Sequence, residues 1–288
     1  MLGLLVGSFL NVVIGRMPAM MARDWTMDCL NWLHEQAPAL LTERLRTPEL
    51  DLQLVAQLAP DSAAARVGLN YSLSQPASHC PQCRAPIRAW QNVPLLSYVL
   101  LRGRCAGCAH PISPRYPFVE LLSAVLAGAV AATYGPTLQT AAGLGLVWTL
   151  VALTFIDLDT LYLPDDLTLP LVWAGLLVNV LGGFVGLPDA VCGAVAGYGL
   201  LWTVTTVFRL VTGKDGMGAG DFKLLAALGA WLGWAALPNI ILLASLLGAL
   251  CGGIAMLCAG HDRRAPIPFG PFLAYGGLLG LFHPGPWW

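Results

Sequence analysis

The residues best equipped for chemistry in this chain are two aspartates, Asp157 and Asp221. Each lies where a long apolar run meets a short polar stretch. Asp157 closes the run 138–156 and opens Asp157-Leu158-Asp159-Thr160-Leu161-Tyr162-Leu163-Pro164-Asp165-Asp166; Asp221 ends Lys214-Asp215-Gly216-Met217-Gly218-Ala219-Gly220-Asp221. An ionisable group beside a bilayer is costly to keep there, so it usually marks function. Two carboxylates at one site can share a proton, one taking it from water while the other donates to a carbonyl. Asp157 directly follows Phe155-Ile156 and is the first choice for such a pair, with Asp159 second. Plainer roles stand beside these. Asp221 could simply cap the helix that follows it, and the acids at 157–166 could bind a divalent cation or be solvated. Asp165 and Asp166, after Pro164, read as turn and capping residues.

Cysteine supplies the second pattern. Cys80-Pro81-Gln82-Cys83 and Cys105-Ala106-Gly107-Cys108 are two CxxC knuckles with 21 residues between them. Four thiolates at this spacing suit a closed structural Zn2+ site, which folds a segment and leaves no position for substrate. The alternatives are a redox pair or two disulfides. No βαβ pattern surrounds either knuckle, and a cytoplasmic setting disfavours stable disulfides. His79 and His110 flank the knuckles but are not needed as ligands. Cys192, Cys251 and Cys258 lie in apolar runs and read as small buried hydrophobes.

The elements that must position these groups are membrane helices. The 288 residues are 57% apolar and only 11% charged, with mean hydropathy +0.68, whereas a soluble domain carries about 25% charged residues. Apolar spans fall at about 2–15, 117–134, 138–156, 167–187, 190–208, 222–237, 239–259 and 270–282, which predicts an all-α polytopic membrane protein of eight helices. The first and sixth are shorter than the ~20 residues a full span needs. Met1–Gly15 lacks a basic start and a small-x-small cleavage site, so it reads as an anchor and not as a cleaved signal.

Ten of the 15 basic residues, all arginine, lie between Arg16 and Arg115, together with seven of the 16 acids. A polar domain, 16–116, is therefore set between the first span (1–15) and a seven-span domain (117–288). Within it, 22–70 shows some helical pattern (Trp25–His34) broken at Pro38, Pro48 and Pro60; 71–116 is rich in Pro and Gly and needs a staple. The positive-inside rule places the Arg-rich segment in the cytoplasm. Counting spans, the stretches 157–166, 209–221 and 260–269 fall on that same side with Arg209, Lys214, Arg263 and Arg264, and the opposite loops carry no Lys or Arg. Asp157 and Asp221 then share the cytoplasmic face. Pro266-Ile267-Pro268-Phe269-Gly270-Pro271-Phe272, a rigid approach to the last span, faces that side too. It is either a helix stop and start or a wall of a substrate groove.

In order along the chain, Gly7-Ser8-Phe9-Leu10-Asn11-Val12-Val13-Ile14, the paired knuckles, Arg115-Tyr116-Pro117-Phe118-Val119-Glu120, Asp157-Leu158-Asp159, Leu163-Pro164-Asp165, Gly216-Met217-Gly218-Ala219-Gly220-Asp221-Phe222-Lys223-Leu224 and Pro266–Pro271 resemble the bacterial type IV prepilin peptidases, also called prepilin leader peptidase/N-methyltransferases. The resemblance covers essentially the whole chain. One departure is Gly15, where relatives carry an aromatic residue or His before Arg-x-Pro. The resemblance implies an inner-membrane aspartyl protease of the GxGD kind. Such an enzyme removes the basic leader from type IV prepilins and type II secretion pseudopilins at the cytoplasmic face. It then methylates the new N-terminus with S-adenosylmethionine. Carried over, Asp157 and Asp221 are the catalytic pair and Cys80, Cys83, Cys105 and Cys108 the Zn2+ ligands. The lipid bilayer is the only other partner expected, and nucleic acid is not one. The methyl-donor site is not legible, for no Gly-rich strand–helix turn appears; the vicinity of Arg102-Gly103-Arg104 is where it is sought. Two other readings compete. One is a transporter using the two aspartates as a proton or cation relay. The other is a methyltransferase without proteolysis.

Overall fold

The computed structural model describes residues 1–36, 71–214, 216–258 and 267–283. Nine α-helices occur among them: α1 (Leu2–Gln36), α2 (Leu96–Leu100), α3 (Arg115–Tyr134), α4 (Leu138–Thr160), α5 (Asp165–Val180), α6 (Leu187–Thr212), α7 (Ala219–Leu232), α8 (Leu237–Cys258) and α9 (Gly270–Phe282). Two isolated β-bridges are the only extended pairings among the described residues. The fold is all-α, as the hydropathy pattern predicts.

Among the described residues, five helical segments are long and apolar enough to cross a membrane: Leu2–Cys29, Arg115–Tyr134, Leu138–Thr160, Leu187–Thr212 and Trp234–Leu257. The other apolar stretches form shorter helices, α5, α7 and α9, of 16, 14 and 13 residues. The expected first span at 2–15 is only the start of α1, which runs on through Pro18 to Gln36. The helical pattern at Trp25–His34 belongs to this same helix. Pro38, Pro48 and Pro60 lie outside the described residues, as do Asp215, Arg263, Arg264 and Pro266.

The chain divides into two compact units, 4–121 and 1–3 with 122–288. The larger unit is built around α7. Ten of its 14 residues are buried, so its shortness is tolerable: protein, not lipid, surrounds it. Small residues let α6 lie against it. A Cβ on Gly193 would stand 2.3 Å from the Gly229 carbonyl oxygen, and one on Gly197 2.6 Å from that of Leu225. The indole of Trp231 fills the space over Gly175 on α5 and donates a 2.8 Å hydrogen bond to the Leu171 carbonyl. Leu146, Leu150 and Leu153, which recur along one face of α4, complete the core with Leu224, Leu228 and Leu273.

One end of this unit is closed by side chains. Asn179 is buried with all four hydrogen-bonding positions in use. Its Nδ2 donates to the carbonyls of Ala230 and Trp231, and its Oδ1 accepts from the N–H groups of Phe184 and Val185. Tyr134 donates to the Leu281 carbonyl nearby, and Gln139 to that of Gly183. Asp157 and Asp221 lie at the other end of this unit.

The smaller unit holds most of α1, the knuckles, α2 and the start of α3. Asn11 Nδ2 donates to the Tyr116 carbonyl at 3.1 Å, and Glu120, buried in the second turn of α3, accepts from the Leu95 N–H at 2.9 Å. Arg16 and Arg23 on α1 donate to the carbonyls of Ser72 and Tyr71.

Candidate active site and metal centre

Asp157 sits in the last turn of α4, not in a loop. The helix runs one turn past it and ends at Leu161, which adopts a left-handed conformation (φ 56°) and returns its N–H to the Asp157 carbonyl at 2.8 Å. The chain then turns through Leu163, which is buried, to Pro164 and the start of α5. Asp159 is exposed. Asp157 is only 4% exposed, and its Oδ2 accepts a 2.9 Å hydrogen bond from the backbone N–H of Gly270. Gly270 opens α9 with Pro271 behind it, so its N–H is one of the donors a helix start leaves without an intrahelical partner. A Cβ at 270 would stand 2.7 Å from that Oδ2. The proline-rich approach therefore does more than start a helix: it supplies a donor to a buried carboxylate.

Asp221 is placed by the start of α7. The helix begins at Ala219 and Gly218 takes the N-cap position without a side-chain cap bond. Asp221 is thus inside the first turn, and the expectation that it caps the helix is corrected. Its carboxylate is left facing the site, buried to 9% exposure, and interacts electrostatically with that of Asp157. The glycine before it has a packing reason: a Cβ on Gly220 would stand 2.8 Å from Cβ of Leu163. Leu163 also reaches the space over Gly270. One leucine thus meets both glycines beside the two aspartates.

Lys223 and Asp165 were not singled out together by their sequence positions. Lys223 Nζ binds both carboxylate oxygens of Asp165, at 2.6 and 2.7 Å, joining the N-terminal ends of α7 and α5. The capping role expected of Asp165 is replaced by this pair. The available signal was that Lys223 is the one basic residue of the membrane region outside an expected loop. The two acids, Gly270 and this ion pair all lie where α4 ends and α5, α7 and α9 begin.

In the smaller unit the four knuckle cysteines converge. Their Sγ atoms all lie within 4.8 Å of one another, with Cys80–Cys108 at 3.8 Å and Cys83–Cys105 at 3.9 Å. The knuckles repeat one backbone pattern. Arg84 returns its N–H to the Cys80 carbonyl, as Ala109 does to that of Cys105, and both returning residues have φ near 56°. The bridges His79–Pro86 and Arg104–Pro111 close the two turns alike. The amides of Cys108 and Gly107 hold the Cys105 thiol at about 6, and those of Cys83 and Gln82 lower Cys80. The cluster could hold a metal ion, and neither His79 nor His110 is part of it.

Compared with known proteins, the chain is 52% identical to a prepilin leader peptidase/N-methyltransferase of Aeromonas hydrophila, over 96% of this chain and 87% of that one. It belongs to the prepilin leader peptidase/N-methyltransferase family. Relatives of the same name from Neisseria gonorrhoeae and Burkholderia pseudomallei (strain 1026b) are 49% and 47% identical, the first over 96% of this chain and 87% of its own, the second over 100% and 85%. Residues 1–134 match the Bacterial Peptidase A24 N-terminal domain, and 144–253 the Type IV leader peptidase family. No solved structure matches.

Proposed function

We propose that this protein cuts the basic leader from type IV prepilins and type II secretion pseudopilins at the cytoplasmic face of the inner membrane, with Asp157 and Asp221 as the catalytic pair, and then methylates the new N-terminus. The observation that carries the peptidase half is the pair itself. Two buried aspartates interact at one end of the helical unit, and neither is committed to capping a helix. One carboxylate, ionised, takes a proton from water as that water attacks the scissile carbonyl. The other, protonated, donates to the carbonyl oxygen. In this reading the two carboxylates share one proton, so the roles belong to the pair and not to either residue. The Gly270 N–H fixes the orientation of Asp157, and the Lys223–Asp165 bridge holds the turn that carries Asp221.

The same arrangement speaks against the transporter reading, in which acids belong near the middle of the bilayer; here both stand at helix ends. Arg209, near the end of α6, and Lys214 just beyond it support the cytoplasmic orientation. The polar segment 16–116 is the cytoplasmic part in this reading, with 117–288 the membrane protease.

Zinc is the metal that suits the four thiolates. Tetrahedral bonds of about 2.3 Å put sulfurs about 3.8 Å apart, which matches the Cys80–Cys108 and Cys83–Cys105 separations. Four sulfurs fill the coordination sphere, so the ion staples the segment and takes no part in cleavage. Methylation rests on the family's name, with S-adenosylmethionine as donor. The test is to incubate the protein in liposomes with a prepilin and S-adenosylmethionine and to read the product's N-terminus by mass spectrometry. A shortened, singly methylated product is expected. An uncut prepilin overturns the peptidase half, and a cut but unmethylated product overturns the transferase half.

A further inference from the structure

The segment between the knuckles is apolar, basic and uncovered. Helix α2 buries none of its five residues. Its inward anchor is Tyr98, whose ring lies 3.0 Å from where a Cβ of Gly103 would stand and whose hydroxyl reaches the Ile112 carbonyl. With Tyr98 turned toward the second knuckle, Leu96, Val99 and Leu100 face outward at 56%, 70% and 66% exposure. These three share a helix face by their spacing. Trp90, half exposed on the preceding 3-10 turn, extends the apolar surface.

Charge says what covers it. No acidic residue occurs between Asp61 and Glu120, while Arg84, Arg88, Arg102 and Arg104 flank the apolar stretch on both sides, and all four are exposed. An apolar ridge with a tryptophan, bordered by exposed arginines and no acid in the same stretch of sequence, has the composition that settles into the boundary between headgroups and acyl chains. Arginine there gains from anionic headgroups. A soluble partner would have to be both acidic and apolar, whereas an anionic bilayer already adjoins the segment through α1 and α3, two of the candidate membrane spans.

We propose that Trp90 and the outward face of α2 dock the metal-binding segment onto the anionic interface of the membrane that holds α1 and α3. The metal cluster thereby becomes a rigid base from which α2 is pressed into lipid. This goes beyond the peptidase reading and does not depend on it.

The test uses the full, zinc-loaded chain in nanodiscs of mixed phosphatidylglycerol and phosphatidylcholine, with and without brominated acyl chains. The emission of Trp90 is taken as the difference between wild type and Trp90→Phe. Severalfold quenching by brominated lipid is expected, weaker in discs of phosphatidylcholine alone. A Trp90 emission equal in both kinds of disc overturns the proposal and leaves another protein, a second copy or the chain itself as occupant. Equal quenching without anionic lipid overturns the headgroup part. Val99→Asp with Leu100→Asp, in protein that still carries its metal, should restore the emission; quenching that persists removes α2 from the docking face.

Discussion

The backbone N–H of Gly270 donates a 2.9 Å hydrogen bond to Oδ2 of Asp157, and a Cβ at position 270 would stand 2.7 Å from that oxygen. The two facts belong together. The first turn of α9 approaches the carboxylate closely enough to bond it only because residue 270 has no side chain. Gly270→Ala should therefore displace Asp157 by a fraction of an ångström to an ångström. A shift of that size can lower the rate by about 10²-fold. Steady-state cleavage of a prepilin, with metal content and thermal melting as controls, checks it; near-normal kcat/KM in Gly270→Ala would show that this contact does not position the acid.

Lys223 and Asp165 make the second prediction. Their side chains are 23% and 44% exposed, so the pair contributes little stability, about 1 kcal/mol or less. Its effect should appear in kcat, because it joins the turn carrying Asp221 to the one that follows Leu163. Asp165→Asn and Lys223→Met should each lower kcat with a small change in melting temperature, and the exchange Asp165→Lys with Lys223→Asp should restore part of it. A loss confined to KM would assign the pair to substrate binding instead.

The α6–α7 crossing gives a stability prediction. A Cβ on Gly229 would stand 2.2 Å from the Gly193 carbonyl oxygen, a backbone atom that cannot rotate away. Overpacking of this kind costs about 1–3 kcal/mol. Gly229→Ala should melt earlier than wild type in detergent, whereas Gly199→Ala, where nothing lies within 4 Å, should not.

Much of this was legible in the sequence. Hydropathy located the eight apolar helices, because burial in lipid and burial in protein both demand a long apolar run. Chain order and charge placed Asp157 and Asp221 at one end. Helix ends were less legible. The left-handed cap at Leu161 ends α4 one turn beyond where the polar residues suggest, and α1 continues past Pro18 because a proline removes one backbone bond and not the whole helix. The Gly270–Asp157 bond was out of reach, for it joins residues 113 apart through a backbone amide. The Lys223–Asp165 pair was hidden likewise, since an acid in the first turn of a helix already has a local explanation.

Removal of the metal gives the fourth prediction. The wild-type chain should carry one Zn2+ with four sulfur ligands by X-ray absorption. Segment 71–114 has little buried apolar surface of its own: among its described hydrophobic side chains, only that of Cys80 is buried. A strong chelator, or Cys105→Ser, should therefore raise hydrogen exchange across 78–112 while leaving α4–α9 protected. Unchanged exchange in metal-free protein would mean that the segment folds without its staple.

The most direct test of the central claim is the rate of prepilin cleavage in liposomes by wild type, Asp157→Asn and Asp221→Asn, each shown to hold its metal and to melt cooperatively. A catalytic pair predicts that both variants fall to the uncatalysed background. Cleavage at the wild-type rate by either one would contradict it.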